Sequence, residues 1–184
     1  QISGKKIDKR SKIEIFDSLK TKDKTIKVVA SPHYYLPEKN LKIFPLSGVS
    51  NSKTLNCNEN GYYSIFNSDR FGYNNPDSEW DKDEIEYMLI GDSFAKGSCV
   101  NSPDDIASLL RNLSSKSTVS TGYNSKGPLM GLASLKEYVS PKVKKVIWLY
   151  FEGNDVYNLE KELKNKFLLK YLINDEYYQN LKNR

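Results

Sequence analysis

The chain has 184 residues, 38% of them hydrophobic, and a net charge of +5 from 28 basic and 23 acidic side chains. That length suits one domain with at most a small appendage, and no run of about 18 apolar residues is present to cross a bilayer. The lysines stand singly among acids and form no basic stripe, which argues against nucleic acid as a partner.

Residues 1–24 are lysine-rich and aperiodic apart from Ile13–Phe16, and read as a poorly ordered or edge-strand lead-in. The β-branched run Lys24–Pro32 reads as a short strand stopped by proline. A section rich in Pro, Ser, Asn and Gly follows. Asn60–Asn75 reads as turn, strand and turn, with Asn60-Gly61 a hairpin signal. Residues 1–80 thus form a small β-rich lead-in, packed on a main domain over 81–184.

The main domain opens on a strand at Glu84–Ser93, whose unbroken apolar Met88-Leu89-Ile90 suits a strand covered on both faces. A helix over 101–113 follows, with Ser102 as cap, Pro103 at the first helical position and Asp104 and Asp105 facing the dipole. Its Ile106, Leu109, Leu110 and Leu113 make one apolar stripe, expected to be buried. Ser117–Gly122 reads as a strand, and Gly127–Val139 as a helix with Leu129, Leu132, Ala133 and Leu135 inward. Lys144–Asp155 is a third, strongly apolar strand with Trp148 expected inside it, and Tyr157–Ile173 a single third helix. Three β-α units in succession imply an α/β class with a parallel sheet and right-handed crossovers.

In such sheets ligands bind where the carboxyl ends of the strands meet the following loops. Here those loops read GDSFAKG, TGYNSKG and EGND. Ser93 brings a hydroxyl, the second loop brings backbone N–H groups, and Asn154 brings an amide. A nucleophile facing several donors is what acyl transfer needs, because its tetrahedral intermediate carries an oxyanion. Ser93 is also a candidate helix cap, though the three loops together favour the catalytic role; Asp92 reads as a cap or loop-orienting acid, and Asp155 as the cap of the third helix. Tyr34, Tyr35, Tyr62, Tyr63, Phe66 and Tyr73 fit sheet packing better than sugar stacking.

The ordered blocks IGDSFAKG, STGYNSKGPL and FEGND, with DRFGYNN upstream, resemble the SGNH (GDSL-type) hydrolase superfamily. The resemblance implies a three-layer α/β/α, flavodoxin-like fold and ester hydrolysis or acyl transfer on an acylated carbohydrate or other small-molecule ester. Carried over, Ser93 is the nucleophile and supplies one oxyanion N–H. Ser125, at the place of the family's second-block glycine, supplies a second, and Asn154 a side-chain donor. Ser120 stands where the family has asparagine, and Glu152 replaces a frequent glycine.

The family's Asp-x-x-His block is missing, and the single histidine, His33, lies upstream in "SPHYYLP", where a rearranged triad would be needed to reach Ser93. Two explanations stand: the chain is an excised piece whose base lies beyond residue 184, or it is a catalytically inactive, binding or accessory relative. The first is favoured. Two cysteines without Cys-x-x-Cys spacing and one histidine argue against a zinc site. No Gly-x-Gly-x-x-Gly or Gly-Lys-Ser/Thr pattern supports a nucleotide, so no cofactor is expected. Cys57 and Cys99 are either two free thiols or a disulfide; a disulfide would place the chain outside the cytoplasm, in the periplasm or cell envelope. Membrane association is expected only through segments outside this chain, and oligomeric state is not legible.

Overall fold

The computed structural model describes residues 7–184. Its first element is a helix, α1 (Lys12–Lys20), where the sequence reads as an aperiodic lead-in. Ser11 accepts the Glu14 N–H, and the Glu14 carboxylate reaches back to the Ser11 N–H at 2.7 Å. This capping box starts a helix that buries only Ile15.

Three short strands follow, β1 (Lys27–Val28), β2 (Lys53–Leu55) and β3 (Ile65–Asn67), with β1 parallel and β3 antiparallel to β2. Asn60-Gly61 sits in the β2–β3 connection, with Gly61 at φ 83°. The connection is a long loop and not a two-residue turn, tied at its base by the Asn56 and Ser64 backbones. Most of residues 24–80 is irregular, since Pro32, Pro37, Pro45 and Pro76 each interrupt any ladder.

The second sheet is all parallel, in the order β5-β4-β6: β4 (Ile85–Gly91) is central between β5 (Thr118–Ser120) and β6 (Val143–Leu149). Helices α2 (Ser93–Lys96) and α3 (Ile106–Ser114) connect β4 to β5, and α4 (Pro128–Tyr138) connects β5 to β6. Two helices close the chain, α5 (Asp155–Glu162) and α6 (Lys166–Ile173). The fold is therefore mixed α/β, with six α-helices and two small sheets among the described residues.

Four readings are corrected. The cap of α3 is Asp105, which accepts the Ser108 N–H at 2.8 Å, and not Ser102. The α3 stripe faces solvent, Leu113 being 84% exposed, while Ala107 and Ser108 are buried. A polar link orients it so: Arg111 donates to the Thr118 carbonyl and to Ser108 Oγ, and Ser108 donates to Asp105. Trp148 is 49% exposed: β6 is an edge strand, and among the described residues no helix packs closely over it. The third helix is two helices, since Asn165 accepts the Phe167 and Leu168 N–H groups and caps α6 afresh.

The lead-in supplies part of the core. Phe44 and Leu46 pack with Leu129, Met130 and Ala133 of α4 and Leu168 and Tyr171 of α6. Tyr73 packs with Ile85, Met88, Ile90, Val119 and Tyr138 around the parallel sheet. Buried polar side chains pin these layers. Asp69 accepts the Phe71 and Tyr73 N–H groups, Asn75 Nδ2 and Trp80 Nε1. Glu162 accepts the N–H groups of Gly127, Leu129 and Met130, capping α4, which has no side-chain cap of its own.

Cys57 and Cys99 form a disulfide spanning 42 residues, which fastens the lead-in to the turn after α2. In the chain-entropy picture a loop of that length gains about 4 kcal/mol. Replacing both cysteines by serine should lower the unfolding free energy in urea by up to that amount. No loss would mean that the noncovalent contacts alone define the loop.

Candidate active site

The site is built on the turn from β4 into α2. Gly91 has φ 146°, and a Cβ placed there would lie 2.5 Å from the Leu149 carbonyl oxygen of β6, so only glycine fits. Asp92 caps α2 by accepting the Phe94 N–H at 2.9 Å. The capping role offered to Ser93 is thus filled by its neighbour. Ser93 stands at the first helical position, and neither its hydroxyl nor its N–H has a partner among the described residues.

The second loop is zipped onto the end of β4. Thr121 donates to the Leu89 carbonyl at 2.8 Å and Tyr123 to the Gly91 carbonyl at 3.3 Å. Gly122 lies so close to α2 that an added Cβ would sit 2.4 Å from the Ala95 Cβ. Ser120 donates its hydroxyl to the Ala95 carbonyl and exchanges two hydrogen bonds with the Asn75 side chain. The DRFGYNN segment therefore braces this loop through Asn75. Ser125, exposed at φ 59°, keeps an N–H with no partner among the described residues.

In the third loop, Asn154 Nδ2 lies 3.4 Å from Asp92 Oδ2, at the long end of hydrogen bonding, and its Oδ1 is buried without a partner. Asp155 does not cap α5. It folds back to accept the Phe151 N–H at 2.8 Å, and its other oxygen is buried without a partner. Burial, then the Asp92 charge, raises the Asp155 pKa.

Ser93 and Asn154 thus meet at Asp92. Ser93 opens into a cavity of about 470 Å3, also lined by Asn60, Phe94, Cys99, Ile106 and Asn124. Neither Ser125 nor Asn154 lines it; Asn124, the neighbour of Ser125, does. His33 sits on the 3-10 turn Pro32–Tyr35, against the Ser125 backbone and Lys161, and lines a different cavity with Tyr34 and Lys164. Burial, then Lys161, lowers its pKa, and it makes no hydrogen bond to Ser93. Of the aromatics, Phe66 and Tyr73 are core residues, whereas Tyr34 is exposed.

Sequence reasoning missed Lys96. It is 1% exposed, one helical turn after Ser93. Its Nζ donates to Asn124 Oδ1 at 2.6 Å and Asn56 Oδ1 at 3.1 Å. It lies 4.6 Å from the Phe66 ring centroid and 4.4 Å from that of Tyr123. Among the described residues no carboxylate pairs with it, and burial holds its pKa well below the ordinary lysine value. The signal available was its spacing: apart from Asp92 it is the one charged residue in Tyr87–Val100. A second buried lysine, Lys126, donates to the Thr121 carbonyl and to Ser134, and burial lowers it to about 7.

No family model matches the chain, and no curated protein and no solved structure matches it. Among the described residues no helix is long and apolar enough to cross a membrane.

Lys96 makes stability depend on pH. Its pKa is lower folded than unfolded, so between those values the unfolded chain binds the extra proton and stability rises with pH. The penalty is complete below the folded pKa and vanishes above about 10.4. Lys96→Met should flatten that rise in urea midpoints measured from about pH 6 to 10. A slope retained in full by the variant would assign it to another group.

Proposed function

We propose that the chain carries the nucleophile and oxyanion hole of a serine-dependent ester hydrolase or O-acyltransferase. It would be of the SGNH kind, with its three-layer α/β/α plan, acting on an acylated carbohydrate. The observation that carries this reading is the uncommitted state of Ser93. Its hydroxyl and N–H are unspent at the carboxyl end of the central strand, because Asp92 does the capping. The unspent Ser125 N–H and the weakly held Asn154 amide are further donors on the adjoining loops.

In this reaction Ser93 Oγ bonds to the acyl carbon while the carbonyl π pair moves to oxygen. The N–H groups of Ser93 and Ser125 and the amide of Asn154 receive that oxyanion. The hydroxyl proton passes to a base, and the tetrahedral intermediate collapses with loss of the alcohol, which takes up a proton. Water or a sugar hydroxyl then accepts the acyl group. Among the described residues no imidazole is hydrogen-bonded to Ser93, and in this reading solvent or a group other than His33 takes the proton. The Cys57–Cys99 disulfide supports an oxidising compartment outside the cytoplasm.

An oxyanion hole without a triad still accelerates acyl transfer by about 10³–10⁴ over water. A fluorophosphonate at mildly alkaline pH should therefore add once per chain, slowly, at Ser93. Ser93→Ala should abolish the adduct, and Asn154→Ala should slow it by about 10²-fold or more. An adduct unaffected by Ser93→Ala defeats the reading. That no imidazole is hydrogen-bonded to Ser93 among the described residues favours one rival, a binding module, which predicts saturable ester binding that survives Ser93→Ala and no covalent product.

A further inference from the structure

The buried Lys96 is unexplained by packing. A lysine without a carboxylate partner is costly to bury, and a hydrophobic side chain of similar volume would fill the same space more favourably. What the lysine adds is a donor aimed at Asn124. Lysine Nζ can give hydrogen bonds to an amide oxygen, so the 2.6 Å contact fixes which end of the Asn124 amide faces it. Oδ1 turns to Lys96, and Nδ2 turns away. Nδ2 has no partner among the described residues and is not enclosed, and Asn124 lines the cavity into which Ser93 opens. Three further contacts hold the pair: Ser31 Oγ donates to the Asn124 carbonyl at 2.6 Å, Asn74 Nδ2 donates to the Lys96 carbonyl at 3.0 Å, and Asn56 Oδ1 accepts a second Lys96 hydrogen.

We propose that Asn124 is a substrate-contacting donor of the Ser93 cavity, and that Lys96 is the positioning residue that turns its amide N–H toward the ester. This rests on the reading of Ser93 as a nucleophile and adds to it. The donor lies one residue before Ser125, so the second loop presents a side-chain N–H and a backbone N–H in succession. Donors fixed in place by the fold stabilise charge that develops on the substrate without reorganising during the reaction. The hydrogen bond from Lys96 Nζ to Asn124 Oδ1 strengthens the Asn124 N–H by polarising the amide.

The test measures the rate of fluorophosphonate addition to Ser93 in the full chain, with thermal unfolding measured alongside. Lys96→Met should slow addition about tenfold while leaving the melting temperature equal or raised. Asn124→Ala should slow it by a similar factor, and the double variant should be no slower than either single one, as expected for one shared interaction. Asn124→Asp keeps a partner for Lys96 and removes the N–H, so it should raise the melting temperature and still slow addition. Wild-type rate in Lys96→Met, with Ser93→Ala still unreactive, overturns the proposal and leaves Ser93 as nucleophile. An Asn124→Asp variant that reacts at the wild-type rate also overturns it. So does a rate that climbs with pH in a Lys96-dependent way while Asn124→Ala reacts normally, since Lys96 would then be the base. Loss of the Ser93 adduct from the wild-type chain itself defeats both readings.

Discussion

The close passage of Gly91 over Leu149 fixes everything that follows. The two strands β4 and β6 run side by side until the Leu149 carbonyl occupies the space a side chain at position 91 would need. The chain can leave β4 there only through glycine, and it leaves at a positive φ. Asp92 then caps the start of α2, and Ser93 emerges with its hydroxyl unspent. The second loop is drawn in by the same turn, since Tyr123 donates to the Gly91 carbonyl and Gly122 rests on Ala95. One backbone constraint thus sets the positions of the candidate nucleophile and its neighbouring donors.

The support for this turn is largely polar. Asp69 and Asn75 hold β5 from the lead-in side, Glu162 holds the start of α4, and Glu137 accepts the Tyr171 hydroxyl and the Gln179 and Leu181 N–H groups. Gln179 in turn pairs with both backbone groups of Phe44. Nearly all of these groups are satisfied, as buried polar atoms must be if they are to stabilise a fold. Three of the four exceptions among the described residues lie near the site, the unpartnered oxygens of Asn154 and Asp155 and Ser98 Oγ; the fourth is His33 Nδ1. Rigid scaffold and unfinished hydrogen bonding therefore meet at the carboxyl edge of the parallel sheet.

The order of the β-α units and the three loops was legible because each strand ends in a short apolar run followed by small or polar residues. The loops' convergence followed from parallel topology alone. Side-chain burial was less legible. The α3 stripe has faultless helical spacing, yet it faces solvent because Arg111 and Ser108 anchor the opposite face to Thr118. Spacing gives the period of a face and not the identity of what covers it. The capping box at Ser11–Glu14 is written in the sequence, but the lysine-rich residues around it carry no hydrophobic period to mark a helix. Lys96 was passed over because a lysine in a short turn ordinarily extends into solvent. Only the depth of Phe66 and Tyr123 around it shows otherwise.

The central claim is the proposal that the N–H groups of Ser93 and Ser125 and the Asn154 amide form an oxyanion hole. A crystal structure of the fluorophosphonate-treated chain tests this most directly. The account predicts a phosphonyl group bonded to Ser93 Oγ, with its nonbridging oxygen within about 2.7–3.1 Å of the Ser93 and Ser125 N–H groups and Asn154 Nδ2. A phosphonyl oxygen directed to open solvent, with those donors unengaged, would contradict it.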